Sequence, residues 1–272
     1  MEFTLFLLLM VLVGGSLMAG SVIGYTWIFR RAYLLHEGKV VVNRFTRIDA
    51  ILACLLVIGI IHICFNDGIG FRRSIDLRAI DTDQLIVGVL SQWFIIIGTI
   101  VVLFLVRGMK PTALFGFDRL RTWQVIAFAV GLLLAALPLV FATSYLISAI
   151  LRVDPQRDSQ EIVQIFQGVT DPVKKFPIVI LAVVVAPLAE EFVFRGFLYG
   201  VLKRYFGALP SLLFTGILFA LVHLHLPSLL PLFVLACTLT LAYEFSGTLL
   251  VPMGMHSLFN TLSLLMVSFS RQ

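Results

Sequence analysis

Residues 125–151 read VIAFAVGLLLAALPLVFATSYLISAIL, an apolar stretch without a single charged residue. A bilayer hydrocarbon core is about 30 Å thick and takes about 20 apolar helical residues to cross, so this stretch is long enough to span it. Further apolar runs lie at roughly 3–29, 50–66, 85–106, 176–202, 208–226, 228–245 and 248–269. Continuous runs exclude a transmembrane β-barrel, whose strands alternate apolar and polar residues. Of the 272 residues, 60% are hydrophobic and 13% charged, whereas soluble domains carry about 25% charged residues. The expected fold is all-α: a polytopic membrane helix bundle of about eight transmembrane helices, forming a single integral membrane domain over 1–272. The runs at 50–66, 208–226 and 228–245 are short, which tilted helices sharing a buried interior tolerate.

The formal net charge of +5 is carried by bases in the loops beside apolar runs. There they serve as topology signals and contacts to lipid headgroups, so membrane lipids are expected partners and nucleic acid is not. Their distribution leans slightly toward both termini outside and leaves orientation open. The apolar run from Phe3 to Phe29 follows Glu2 and precedes Arg30 and Arg31. A secretory signal has a basic start and a shorter apolar core, so this run reads as a retained first span. Cys54, Cys64 and Cys237 lie in apolar runs without ligand spacing and read as small core residues. Between Arg152 and Lys175, Ile162, Ile165 and Phe166 recur at helical spacing among glutamines and Glu161. This predicts a short amphipathic helix on the membrane surface, with a packed loop helix as the plainer reading and a substrate gate as the functional one.

Ionisable groups inside membrane spans cost several kcal/mol on most scales (~2.5–3.5 at the helix centre by insertion measurements) and mark functional sites by default. They concentrate in the C-terminal half. The fifth span contains Ala186-Pro187-Leu188-Ala189-Glu190-Glu191-Phe192-Val193-Phe194-Arg195-Gly196; the sixth ends Phe219-Ala220-Leu221-Val222-His223; the eighth contains His256-Ser257-Leu258-Phe259-Asn260. Glu191 and Arg195 stand four apart and share a helix face, which predicts an ion pair. Glu190 points about 100° away and faces a different neighbour. Pro187 removes a helical hydrogen bond, so a kink opening space for water is expected there. His256 with Asn260, and Phe219 with His223, also share faces, the phenyl ring packing beside the imidazole. One shared site accounts for all three spans.

That inventory suits peptide hydrolysis. A carboxylate with a histidine takes a proton from water, and a second histidine with an amide donates hydrogen bonds to the oxyanion. Each piece alone has a plainer reading. Glu191 with Arg195 is a structural ion pair in about half of such cases; His223 alone is an interhelical hydrogen bonder about as often as a catalyst, and Asn260 alone is more often helix glue than catalyst. Their joint occurrence on three spans favours the site. Glu244 reads as reaching the interface at the end of the seventh span, His62 as structural, His225 as interfacial and His36 as solvated.

The ordered set EExxxR (Glu190, Glu191, Arg195), FxxxH (Phe219, His223) and HxxxN (His256, Asn260), with the surrounding APLAEEFVFRG, resembles the CPBP family. That family includes type II CAAX prenyl endopeptidases and bacteriocin-processing or immunity proteins. The resemblance covers about residues 176–269, the expected peptidase core; the first four spans are similar only in being hydrophobic. It implies an intramembrane glutamic endopeptidase acting on a membrane-associated peptide or protein. Glu190 would be the general base, assisted by His223. His256 and Asn260 would form the oxyanion hole, with Glu191, Arg195 and Phe219 in support. The expected location is an integral, multi-pass place in a membrane, the cell membrane if the host is a bacterium or archaeon.

No cofactor is expected. The alternative is zinc held by Glu190, His223 and His256 with water in the fourth position. Against it stand the absence of HExxH, the lack of an evident outer-shell carboxylate for the histidines apart from Glu191, and Asn260, a poor zinc ligand, beside His256. A non-catalytic scaffold or immunity protein is disfavoured by the presence of all four catalytic positions. A transporter is disfavoured by the absence of an inverted repeat. Substrate identity, its prenylation and the oligomeric state are not written in the residues.

Overall fold

The computed structural model describes residues 2–67, 82–153 and 160–269. Of the described residues 84% are helical, and no strand occurs among them. The helices are α1 Glu2–Phe29, α2 Arg47–Asp67, α3 Thr82–Val106, α4 Pro111–Phe115, α5 Thr122–Leu151, α6 Glu161–Gly168, α7 Pro172–Ile180, α8 Ala186–Glu191, α9 Gly200–Phe206, α10 Ala208–Leu221, α11 Leu229–Ser246 and α12 Leu250–Phe269. The wider i→i+5 hydrogen-bonded (π) turns Leu181–Val185 and Phe192–Tyr199 join α7, α8 and α9 into one rod, Pro172–Phe206. Seven helices among the described residues are long and apolar enough to cross a membrane, and α10 is a shorter apolar eighth. The chain is therefore an integral, multi-pass all-α membrane protein.

The rod, α5, α10, α11 and α12 form the interior. α5 packs against α1, α11 and α12 through Ala129, Leu133, Ala136 and Val140, all buried. The small residues let the backbones approach closely. α11 is the most enclosed span, whereas α1, α2 and α3 present Leu17, Ile58, Phe94 and Val106 outward. Exposed apolar residues of this kind are what lipid solvates.

α6 forms at the expected place but does not lie free on a surface. Ile165 and Phe166 are buried against Ile178, Ala182 and Leu264, and the Lys175 ammonium stands 4.1 Å from the centre of the Phe166 ring. The helix is packed on the bundle, which corrects the surface reading. Residues 154–159 of the same loop lie outside the described residues.

Glu244 is also corrected. It is 1% exposed, not interfacial. It accepts hydrogen bonds from the Tyr199 hydroxyl at 2.6 Å and from the Lys203 ammonium, and the Val40 amide donates to it at 3.3 Å. Tyr33 adds a hydroxyl contact to Tyr199 at 3.1 Å. Gly38 is required here, because a Cβ would collide with the Glu244 carboxylate. This network ties the segment after α1 to the rod and to α11.

The lysine is Glu244's only cationic partner among the described residues. Lys203→Met should therefore lower stability by about 3–5 kcal/mol, the usual cost of stranding a buried charge. The double variant Glu244→Gln, Lys203→Met should recover much of it. Thermal unfolding in detergent reads both outcomes.

Candidate active site

α8 carries both glutamates and is bracketed by π turns. Such turns are rare and occur frequently at functional sites. The upstream turn ends where the Ala186 amide bonds to the Leu181 carbonyl, and Pro187 follows without an amide hydrogen. The expected kink thus takes the form of a widened turn directly before the glutamates. The downstream turn carries Arg195 back toward α8. The Arg195 Nη1 donates to Glu191 Oε1 at 2.7 Å, with the two side chains 1% and 0% exposed. Its Nη2 donates to the Ala236 carbonyl at 3.2 Å, and its guanidinium carbon stands 4.4 Å from the centre of the Phe219 ring.

The same carboxylate oxygen has a second partner from α12. Nδ1 of His256 lies 2.9 Å from Glu191 Oε1. Its Nε2 lies 3.8 Å from Glu190 Oε2. The imidazole therefore sits between the two acids, bonded to the buried one and facing the other across slightly more than a hydrogen-bond length. Glu190 keeps a side-chain exposure of 18%, the wetter of the two. Adjacent positions on one helix turn thus give a dry, doubly bonded carboxylate and a reachable one.

His223 owes its place to the shortness of α10. Fourteen residues rise about 21 Å at 1.5 Å per residue, less than the ~30 Å core. The chain turns before the helix has reached that length. Leu224 takes φ 51°, a left-handed conformation rare for a residue with a Cβ, and this reverses the chain directly after the histidine. Nδ1 of His223 lies 2.7 Å from the Phe219 carbonyl. A carbonyl only accepts, so Nδ1 carries the hydrogen and the neutral ring keeps a lone pair on Nε2.

Phe219 is the hub. It is fully buried, and its ring centre lies 4.9 Å from that of His223, 5.6 Å from that of His256 and 5.3 Å from that of Phe194. One phenyl ring thereby touches Arg195 and both imidazoles. Asn260 docks on the other side of α8: its Nδ2 donates to the Ala182 carbonyl at 2.8 Å. An amide can donate two hydrogens, so one remains available. Of the other histidines, His62 bonds to Asn66 and His225 bonds to Ser228.

Both catalytic-candidate histidines have an acceptor on Nδ1, Glu191 for one and the Phe219 carbonyl for the other. The one carboxylate among these partners is Glu191, the exception expected from the sequence. This orientation serves a base and a metal ligand alike. Among the described residues, however, no group of three His, Cys, Asp or Glu side chains has an arrangement that could hold a metal ion.

Residues 172–262 match the family model for type II CAAX prenyl endopeptidase, Rce1-like. That is consistent with the CPBP resemblance and covers Glu190, Glu191, Arg195, Phe219, His223, His256 and Asn260. Comparison with curated proteins and with solved structures gives no match.

The contrast between the two glutamates is measurable. Glu191→Gln weakens the bonds from Arg195 and His256 in a dry setting and should cost about 3–5 kcal/mol of stability, by stranding the guanidinium. Glu190→Gln should leave the unfolding temperature within a few degrees of the parent, and circular dichroism melts in detergent would show both.

Proposed function

We propose that this protein is an intramembrane endopeptidase hydrolysing a peptide bond in a membrane-associated protein or peptide. The observation that carries the reading is the His256 ring between Glu191 and Glu190, with His223 joined to it through Phe219. The match to a CAAX endopeptidase family supports the same reaction class.

In this reading Glu190, assisted by the Nε2 lone pair of His223, takes a proton from water. The water oxygen attacks the scissile carbonyl carbon and leaves a tetrahedral oxyanion. His256, when its ring carries both hydrogens, keeps Nδ1–H on Glu191 and offers Nε2–H to that oxyanion. Asn260 offers its second amide hydrogen. Collapse of the intermediate breaks the carbon–nitrogen bond, and the proton held by Glu190 passes to the departing amine. Arg195 holds Glu191 charged so that His256 stays oriented. Pre-set donors in a dry site act without reorganising, which is where such catalysis draws its strength.

Zinc on Glu190, His223 and His256 remains the second reading, because both histidines are oriented as metal ligands are. No step above requires it.

Glu190→Gln should lower turnover at least ~10²-fold, the usual contribution of a general base, in protein that still folds; near-parental cleavage of membrane-extracted peptides would overturn the base assignment. Asn260→Ala should cost about 10²–10³ in turnover with little change in unfolding temperature. Elemental analysis of active, chelator-treated protein should find well under one zinc per chain. Stoichiometric zinc that disappears in His223→Ala and His256→Ala would replace this mechanism with the metal one.

A further inference from the structure

We propose that Pro187 is a positioning residue for Asn260, acting through the carbonyl group of Ala182. The inference rests on the peptidase reading for its consequence and on backbone hydrogen bonding for its geometry. In the π turn Leu181–Val185 the Ala186 amide reaches back five residues to the Leu181 carbonyl. Carried on at the same step of five, that ladder would next run from residue 187 to Ala182. Proline has no amide hydrogen, so the rung is missing. Ala186, already committed to Leu181, does not supply an α-helical substitute. Ala182 is a buried residue, and a buried carbonyl needs a donor. The donor comes from another helix: Asn260 Nδ2, at 2.8 Å.

The consequence is geometric. Bonding one amide hydrogen to a fixed carbonyl sets both the plane of the Asn260 side chain and which of its ends is nitrogen. The remaining hydrogen of the same planar group is then held in one direction, as an oxyanion donor must be. Pro187 stands three residues before Glu190, so one short segment of the rod presents the base and orients the amide from α12. Proline disfavours a helix interior more than any other residue, and its presence beside the glutamates is accounted for by this withheld amide.

The test separates positioning from mere structure by opposite signs. An alanine at 187 restores the amide, completes the rung to Ala182 and competes with Asn260. A structural proline would leave turnover unchanged when replaced. Pro187→Ala is expected to lower kcat on the order of tenfold, less than the ~10²–10³ for losing such a donor entirely, with KM within about twofold. Its unfolding temperature should be unchanged or raised. In an Asn260→Ala background the same substitution should have no further effect on kcat, since residues acting through one contact are not additive. Parental kcat in Pro187→Ala, or an equal fractional loss in the Asn260→Ala background, overturns the proposal. A readout independent of activity is the ¹⁵N-labelled side-chain amide of Asn260, assigned by its absence in Asn260→Ala. It should shift and exchange faster in Pro187→Ala, and an unmoved signal overturns the proposal even if the substitution destabilises the protein. If the parent protein cleaves none of the membrane-extracted peptides, the peptidase reading fails separately, and the amide signal still decides the role of Pro187.

Discussion

Oε1 of Glu191 is the point on which the site depends. It accepts from Arg195 at 2.7 Å and lies 2.9 Å from the His256 ring in surroundings where water does not share the work. A carboxylate moved from water to a low-dielectric interior costs several kcal/mol even after relaxation, and here the cost is offset by two charge-assisted contacts and by Arg195 lying against the Phe219 ring. The pair belongs to one helix, so its geometry is set locally; the histidine belongs to another, so the same oxygen also fixes how α12 meets the rod. Satisfying one buried charge therefore docks three elements, and the reachable Glu190 is placed by them without being used to hold them.

A second buried acid sets the opposite end of the rod. Glu191, Arg195, Tyr199 and Lys203 succeed one another at intervals of four and run from the site to the Glu244 network. Between them lies the π turn Phe192–Tyr199, which carries an extra residue relative to an α-helix. Were it to tighten, whatever follows would turn by about 100°, the angle one residue occupies. The ion pair at one end and the Tyr199–Glu244–Lys203 contacts at the other make that costly, since each would have to give up buried polar partners. The unusual helix persists because both of its ends are anchored.

Much of this was legible in the chain and part was not, for physical reasons. Apolar runs report bilayer crossing directly, so the helices fall where the runs are. Spacing of four reports a shared face, and Glu191 with Arg195 needs nothing more to meet. Glu244 was misread because a lone acid at the end of an apolar run looks interfacial; its partners Tyr199 and Lys203 sit on a different helix, and Gly38, which makes room for it, lies in a loop after α1. The continuation of the four-residue interval from Arg195 to Lys203 was the signal available. α6 shows the same limit: its pattern gives an apolar face but not whether lipid or Ile178, Ala182 and Leu264 cover it.

The Pro187–Ala182–Asn260 contact belongs to a class that side-chain patterns do not report. A proline is visible in sequence as a missing donor, but which carbonyl loses its partner depends on whether the ladder steps by four or by five. In an α-helix the orphan would be residue 183. The i→i+5 step moves it to Ala182, and the chain then needs a donor at that carbonyl. Asn260 meets the need because α12 is already docked through His256, one helical turn earlier. The order of dependence is therefore fixed: the buried charge of Glu191 brings α12 to the rod, the docked helix brings an amide to the orphaned carbonyl, and the bonded amide has one hydrogen left to offer.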